Sequence, residues 1–189
     1  MNLPNKITVF RILLIPFFMI VLMLQTSRLF FVPPIYCNIL AAVIFAVAAA
    51  TDGVDGYLAR KNNQVTDLGK FLDPIADKLL VATALICLVE LQRIPAWMAI
   101  IIIAREFIVT GLRIVAISEG VVIAAEMTGK IKTVIQIIAT VVALVFYGET
   151  FDLFGVSIAK IAMCIATLFT IYSGVVYMTK NWNLVINSK

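Results

Sequence analysis

The sequence predicts an all-α polytopic membrane protein, six transmembrane helices with a short N-terminal interfacial segment, and three observations predict it. Of the 189 residues, 62% are hydrophobic and only 14% charged, whereas a soluble globule carries roughly 45–50% apolar and about 25% charged residues. The mean hydropathy of +1.06 leaves too few polar side chains to cover a water-facing surface. Finally, the apolar residues fall into six runs divided by short polar or proline-containing breaks, and each run approaches the roughly 20 residues that cross a bilayer as a helix.

Taken in order, the opening Met-Asn-Leu-Pro-Asn-Lys-Ile-Thr places Pro4 to start a helix lying along the interface. The first span, near 8 to 27, has Lys6 before it and Arg11 inside it, as a secretory leader would. No small-residue cleavage site follows, and five more apolar runs do, so we expect a retained helix. The second span runs near 36 to 60 and ends in small residues and Arg60; the third runs near 69 to 90 and the fourth near 95 to 118. The fifth, near 129 to 148, is headed by Gly129-Lys130-Ile131-Lys132-Thr133, and the sixth, near 154 to 178, carries nothing diagnostic. No repeat or low-complexity tail interrupts them, so 1–189 reads as a single transmembrane domain.

Orientation follows from where Lys and Arg fall. With the N-terminus inside, the cytoplasmic side receives Lys6, Arg11, Arg60, Lys61, Lys70, Lys78, Arg113, Lys130, Lys132, Lys180 and Lys189, and the other side keeps Arg28, Arg93 and Lys160. Both termini are therefore expected to face the cytoplasm. The net charge of +4 suits anionic lipid surfaces; membrane lipids, not nucleic acid, are the expected surroundings.

Composition also excludes chemistry. The chain has no His, which removes Ser-His-Asp and Cys-His nucleophilic sites and His-ligated zinc. Cys37, Cys87 and Cys164 stand far apart in apolar runs, so they read as small hydrophobes rather than disulfides or metal ligands.

The informative residues are the carboxylates near the membrane. A carboxylate at mid-bilayer costs at least about 2.5–3.5 kcal/mol and is tolerated mainly where it serves a pathway or a site. Asp52 and Asp55 are three apart near the end of the second span, and Asp73 and Asp77 are four apart near the start of the third. On helices each pair shares a face. The stretch from Arg60 to Gly69 is short enough to make the two helices antiparallel neighbours, with all four carboxylates at similar depth. The site would lie about 12 Å from Arg60, recessed but reachable from the cytosol.

Four facing carboxylates repel unless cations stand between them. All-oxygen ligation without Cys or His points to two hard divalent ions, Mg²⁺ or Mn²⁺, an arrangement suited to displacement at phosphorus. Gly53, Gly56, Ala59 and Gly69 open the walls beside the aspartates to a large ligand, although Gly53 equally suits close helix packing.

From Asp52 the chain reads Asp-x-x-Asp-Gly-x-x-Ala-Arg, then eight residues, then Gly-x-x-x-Asp-x-x-x-Asp ending at Asp77. This resembles the defining motif of the CDP-alcohol phosphotransferase family, with Asp52, Asp55, Gly56, Ala59, Arg60, Gly69, Asp73 and Asp77 filling every position. Eight fixed residues at fixed spacing are highly specific. The resemblance implies transfer of a substituted phosphate from a CDP-linked donor, usually CDP-diacylglycerol, to an alcohol, with release of CMP. It implies that Asp52, Asp55, Asp73 and Asp77 hold two divalent ions, and that Asp52, Asp55, Gly56, Ala59, Arg60 and Gly69 bind the nucleotide. It also implies that Asp77 takes the proton of the attacking hydroxyl, and that the protein forms a homodimer. The residues alone do not choose which carboxylate is the base.

Three further patches resemble the phosphatidylglycerophosphate synthase branch of that family: residues 2 to 8 with Arg11-Ile12, Ala104-Arg105-Glu106-Phe107 with Gly111-Leu112-Arg113, and Gly129 to Thr133. They imply sn-glycerol 3-phosphate as acceptor. The residues agree, since Arg105, Arg113, Lys130 and Lys132 gather cations beside an acidic site and would bind an acceptor phosphate. Arg105 has alternative partners in Glu106 or a site aspartate, Glu106 has one in Arg113 seven residues on, and Lys130 and Lys132 also suit anchoring at the inner surface. Other acceptors, such as inositol phosphate, serine or phosphatidylglycerol, would preserve the same chemistry. An ion-coupled transporter would use intramembrane carboxylates differently, but no inverted repeat is visible, and a purely structural subunit leaves four clustered aspartates without a purpose.

Overall fold

The computed structural model describes residues 3–26, 33–61, 67–118, 126–146, 152–153 and 156–182, with the side chains at 3–7, 52–61, 67–74 and 152–153 outside that description. Among the described residues there are six long helices: α1 (Leu3–Met23), α2 (Pro34–Lys61), α3 (Asp67–Glu90), α4 (Ala96–Ser118), α5 (Met127–Val145) and α6 (Ile158–Lys180). Each corresponds to one predicted span. Four stretches, Thr8–Thr26, Pro34–Thr51, Met127–Val145 and Ile158–Lys180, are long and apolar enough to cross a membrane. The other two helices, α3 and α4, bring Asp77, Lys78, Arg105, Glu106 and Arg113 to the candidate site. The molecule is an all-α, multi-pass membrane protein.

Two boundaries differ from the sequence reading. The helix predicted to start at Pro4 starts at Leu3 and continues unbroken to Met23, so the expected interfacial segment is the first turns of α1 rather than a separate element. The sixth helix begins at Ile158 rather than near 154, because the residues before it form a small antiparallel ladder pairing Asp152 with Ser157 and Leu153 with Val156.

The hydrophobic core draws on every helix, through residues such as Phe18, Phe45, Leu85, Ile102, Leu144 and Met163. Phe18 of α1 and Phe45 of α2 meet with ring centroids 6.1 Å apart. Buried alanines, among them Ala41, Ala84, Ala143 and Ala166, let the backbones approach closely, as small residues do between helices in lipid. Large apolar side chains such as Ile86, Ile100, Ile138 and Leu168 face outward, as a lipid-facing surface requires. On α5 and α6 the buried Thr140, Thr167 and Thr170 donate to carbonyls of their own helices, those of Gln136, Met163 and Ala166, at 2.7–2.8 Å.

The core occupies one half of the bundle's length. On α4 it takes Met98 to Ile102, on α5 Ala139 to Leu144 and on α6 Ala159 to Ala166. The far end of this half is closed by Arg93, in the turn between α3 and α4. Gln92 takes φ 55°, Gln92 N–H donates to Val89 O and Arg93 N–H donates to Leu88 O. This is a Schellman ending, built on a residue other than the usual glycine. It turns Arg93 inward, where only 1% of it stays exposed. Its guanidinium donates to Leu144 O at 2.9 Å, Ala143 O at 3.3 Å, Asn38 Oδ1 at 2.6 Å and Gln25 Oε1 at 2.9 Å. One cation thus satisfies the carbonyl end of α5 and ties it to the start of α2 and the end of α1. The sequence reading placed Arg93 as a loop cation; it is instead part of the interior.

Candidate active site

The opposite half of the bundle is polar. A cavity of about 240 Å³ opens between α3, α4, α5 and α6. Asp77 and Lys78 enter from α3, Arg105, Glu106 and Arg113 from α4, Lys130 and Lys132 from the first turns of α5, and Tyr177 from the last turns of α6. Glu126, just before α5, completes the charged lining. All four cations proposed for an acceptor phosphate therefore meet in one place, and Asp77 lies on the same wall.

Each cation is held differently. Lys132 is buried and donates to Glu106 Oε1, whose oxygen also lies 3.5 Å from Arg105 Nη1. Arg105 is 12% exposed and donates through Nη2 to Ser173 Oγ at 2.8 Å. Arg113 is exposed, with its guanidinium carbon 5.6 Å from the Tyr177 ring centroid and its Nε 3.4 Å from the Tyr177 hydroxyl. Lys130 is exposed at the rim. Glu106 thus turns to Lys132 and Arg105 rather than to Arg113, whose place is taken by Tyr177. At the mouth, Lys180 Nζ lies 3.1 Å from Glu126 Oε1.

Among the described residues, five cationic side chains and three carboxylates line the cavity. Two forked guanidiniums and three ammoniums give this part of the lining hydrogen-bond donors suited to an anionic group.

Positions 52, 55, 56, 59 and 60 lie on α2, and positions 69, 73 and 77 on α3. The side chains of Asp52, Asp55, Ala59, Arg60 and Asp73, and the surroundings of Gly56 and Gly69, lie outside the described residues; Asp77 is described, half-buried beside the cavity. The helices that carry both aspartate pairs are in contact with each other. Cys87 is packed into the apolar core and Cys37 is also buried. Among the described residues no cluster of three acidic or thiol side chains could hold a metal ion, and the aspartates at positions 52, 55 and 73 lie outside them.

Ser173 and Tyr177 were missed from sequence. Their signal is a pair of hydroxyl-bearing residues four apart, on one face of a mainly apolar span.

Residues 1–172 match the CDP-alcohol phosphatidyltransferase family. The chain belongs to that family. Among its relatives, the CDP-diacylglycerol–glycerol-3-phosphate 3-phosphatidyltransferase of Bacillus subtilis (strain 168) is 51% identical over 187 residues, covering 96% of this chain and 95% of the relative. The proteins of the same description from Haemophilus influenzae and Escherichia coli (strain K12) are 38% and 41% identical, over 94% and 73% of this chain and 91% and 74% of theirs. For a CDP-alcohol phosphatidyltransferase the division of the bundle has a plain meaning. An apolar half supports a polar half, and among the described residues the charges that line the cavity lie in the latter. The family match stops one residue short of Ser173, whereas a match covering 96% of the chain takes in Ser173 and Tyr177 wherever it begins.

Proposed function

We propose that the protein transfers the phosphatidyl group of CDP-diacylglycerol to sn-glycerol 3-phosphate, giving phosphatidylglycerophosphate and CMP. The observation that carries this reading is the convergence of Arg105, Arg113, Lys130 and Lys132 on one cavity whose wall also holds Asp77. An uncharged acceptor such as serine would need no such cluster. The relatives' descriptions name the same donor and acceptor.

In this mechanism the four cations hold the acceptor phosphate by charge and by forked hydrogen bonds, leaving the 1-hydroxyl toward Asp77. That hydroxyl oxygen forms a bond to the lipid-linked phosphorus, its proton passes to Asp77, and the bond from that phosphorus to the CMP oxygen breaks. CMP carries away the electron pair. No covalent enzyme intermediate is needed, since no activated nucleophile is present among the described residues. Asp52, Asp55, Asp73 and Asp77 would hold two divalent cations, Mg²⁺ or Mn²⁺. When bound, these neutralise charge on the donor's pyrophosphate. Asp52, Asp55, Gly56, Ala59, Arg60 and Gly69 would form the nucleotide pocket at the facing ends of α2 and α3. The polar half faces the cytoplasm in this reading, since the cavity end carries Lys78, Arg113, Lys130, Lys132 and Lys180. The homodimer expected from the resemblance belongs to the same proposal.

The test is an acceptor panel. Purified protein with labelled CDP-diacylglycerol and Mg²⁺ or Mn²⁺ is offered glycerol 3-phosphate, serine, inositol phosphate or phosphatidylglycerol. CMP and phosphatidylglycerophosphate should form only with glycerol 3-phosphate. CMP release without acceptor, or a better acceptor among the others, overturns the proposal.

A further inference from the structure

The acceptor cations do not stand alone: α6 holds two of them. Ser173 is fully buried, and its hydroxyl accepts from Arg105 Nη2 at 2.8 Å. One residue on, Gly174 lies so close to the Arg105 stem that a Cβ there would sit 3.2 Å from Arg105 Cγ and 3.9 Å from its Nε. One turn further, Tyr177 is 2% exposed, and it carries the Arg113 guanidinium across its ring while its hydroxyl approaches Arg113 Nε. Residues 173, 174 and 177 lie on one side of a helix. That side combines a hydroxyl acceptor, a missing side chain and an aromatic face, each meeting one part of an arginine.

We infer that Ser173, Gly174 and Tyr177 of α6 are positioning residues for the acceptor: they set the separation and tilt of Arg105 and Arg113, and so select a phosphate-bearing alcohol. None of the three needs to touch the acceptor. Gly174 lets Arg105 lie close along α6, where an added Cβ would push its stem aside by a few tenths of an ångström, and Ser173 Oγ fixes the end of its fork. Arg113, otherwise a mobile exposed side chain, is held over the Tyr177 ring, where a cation is attracted to the aromatic face. Two guanidiniums fixed in this way form a pre-shaped dianion receptor and lose less freedom when the ligand arrives.

The inference rests on the acceptor reading above, and the experiment separates the two. Full-length Ser173→Ala, Ser173→Thr, Gly174→Ala, Tyr177→Phe, Tyr177→Leu, Arg105→Ala and Ser173→Ala/Arg105→Ala proteins are purified, checked for an unchanged unfolding temperature, and assayed with both substrates varied. Ser173→Ala, Gly174→Ala and Tyr177→Leu should each raise KM for glycerol 3-phosphate roughly tenfold, the effect of losing one hydrogen bond or contact to a charged group. KM for CDP-diacylglycerol should stay within about twofold. Ser173→Thr, which keeps the hydroxyl, should restore most of the loss, and Tyr177→Phe, which keeps the ring, should lose less than Tyr177→Leu. In the Arg105→Ala background, Ser173→Ala should cost nothing more. If Arg105→Ala raises KM for glycerol 3-phosphate while the α6 variants leave it unchanged, or move both KM values together, the positioning role falls and the acceptor reading stands. If Arg105→Ala itself leaves that KM unchanged, the acceptor reading falls, and the positioning role with it.

Discussion

Lys132 of α5 donates to Glu106 of α4, and the same carboxylate oxygen lies 3.5 Å from Arg105 Nη1. The contact spans from α5 to α4 at the cavity and removes Lys132 almost wholly from water, with 4% of its side chain exposed. Breaking the pair from the Lys132 side leaves Glu106 with Arg105 as its remaining cation and 20% of its side chain exposed, so the cost is only partial. Lys132→Met should lower unfolding stability by about 1.5 kcal/mol, the loss of one hydrogen bond between charged groups, and Lys132→Met with Glu106→Gln should recover part of it. Thermal unfolding in detergent reads this double-mutant cycle; strictly additive losses would show that the pair is not coupled.

Asp77 faces the same cavity from α3, four residues after Asp73. If it accepts the hydroxyl proton, Asp77→Asn keeps the shape and removes the base, so kcat should fall by at least about 100-fold. Asp73→Asn should do the same through loss of a cation ligand. Thorough chelation should stop CMP release, and Mg²⁺ or Mn²⁺ should restore it. Turnover that survives chelation would remove the divalent cations from the mechanism.

Arg93 separates stability from activity. Its four hydrogen bonds lie at the end of the bundle away from the cavity. Arg93→Met should cost about 3 kcal/mol or more by stranding two carbonyls and two amide oxygens. The fraction that folds should keep both KM values. A selective rise in KM for glycerol 3-phosphate would contradict the division of the bundle into a supporting and a reacting half.

Gln92 pays a backbone cost at φ 55° that glycine would not. Gln92→Gly should therefore stabilise the protein by about 0.5 kcal/mol, after allowing for glycine's greater freedom in the unfolded chain. A rise in unfolding temperature without any change in turnover is the expected result.

Much of this was legible in the sequence. Runs of apolar residues located all six helices, since length and hydropathy are what a bilayer selects. The cations Arg105, Arg113, Lys130 and Lys132 were recognisable because a charge near lipid demands a reason. What escaped were the residues whose meaning depends on a neighbour far along the chain. Arg93 reads as an ordinary loop cation until Asn38, Gln25 and the end of α5 are placed around it. Ser173 and Tyr177 are unremarked members of an apolar helix until α4 is laid against them. The delayed start of α6 depends on a short pairing of 152–153 with 156–157, which no hydropathy pattern encodes.

The threonines buried between α5 and α6 bear on biogenesis. Thr167 and Thr170 close their hydrogen bonds within α6 itself, so those two hydroxyls need no partner on another helix. The helix carrying Arg105 and Glu106 has no such independence, because each charge left facing lipid would cost about 2.5–3.5 kcal/mol at mid-bilayer. Its charges are settled only in the assembled bundle, where Lys132 of α5 meets Glu106 and Ser173 of α6 meets Arg105.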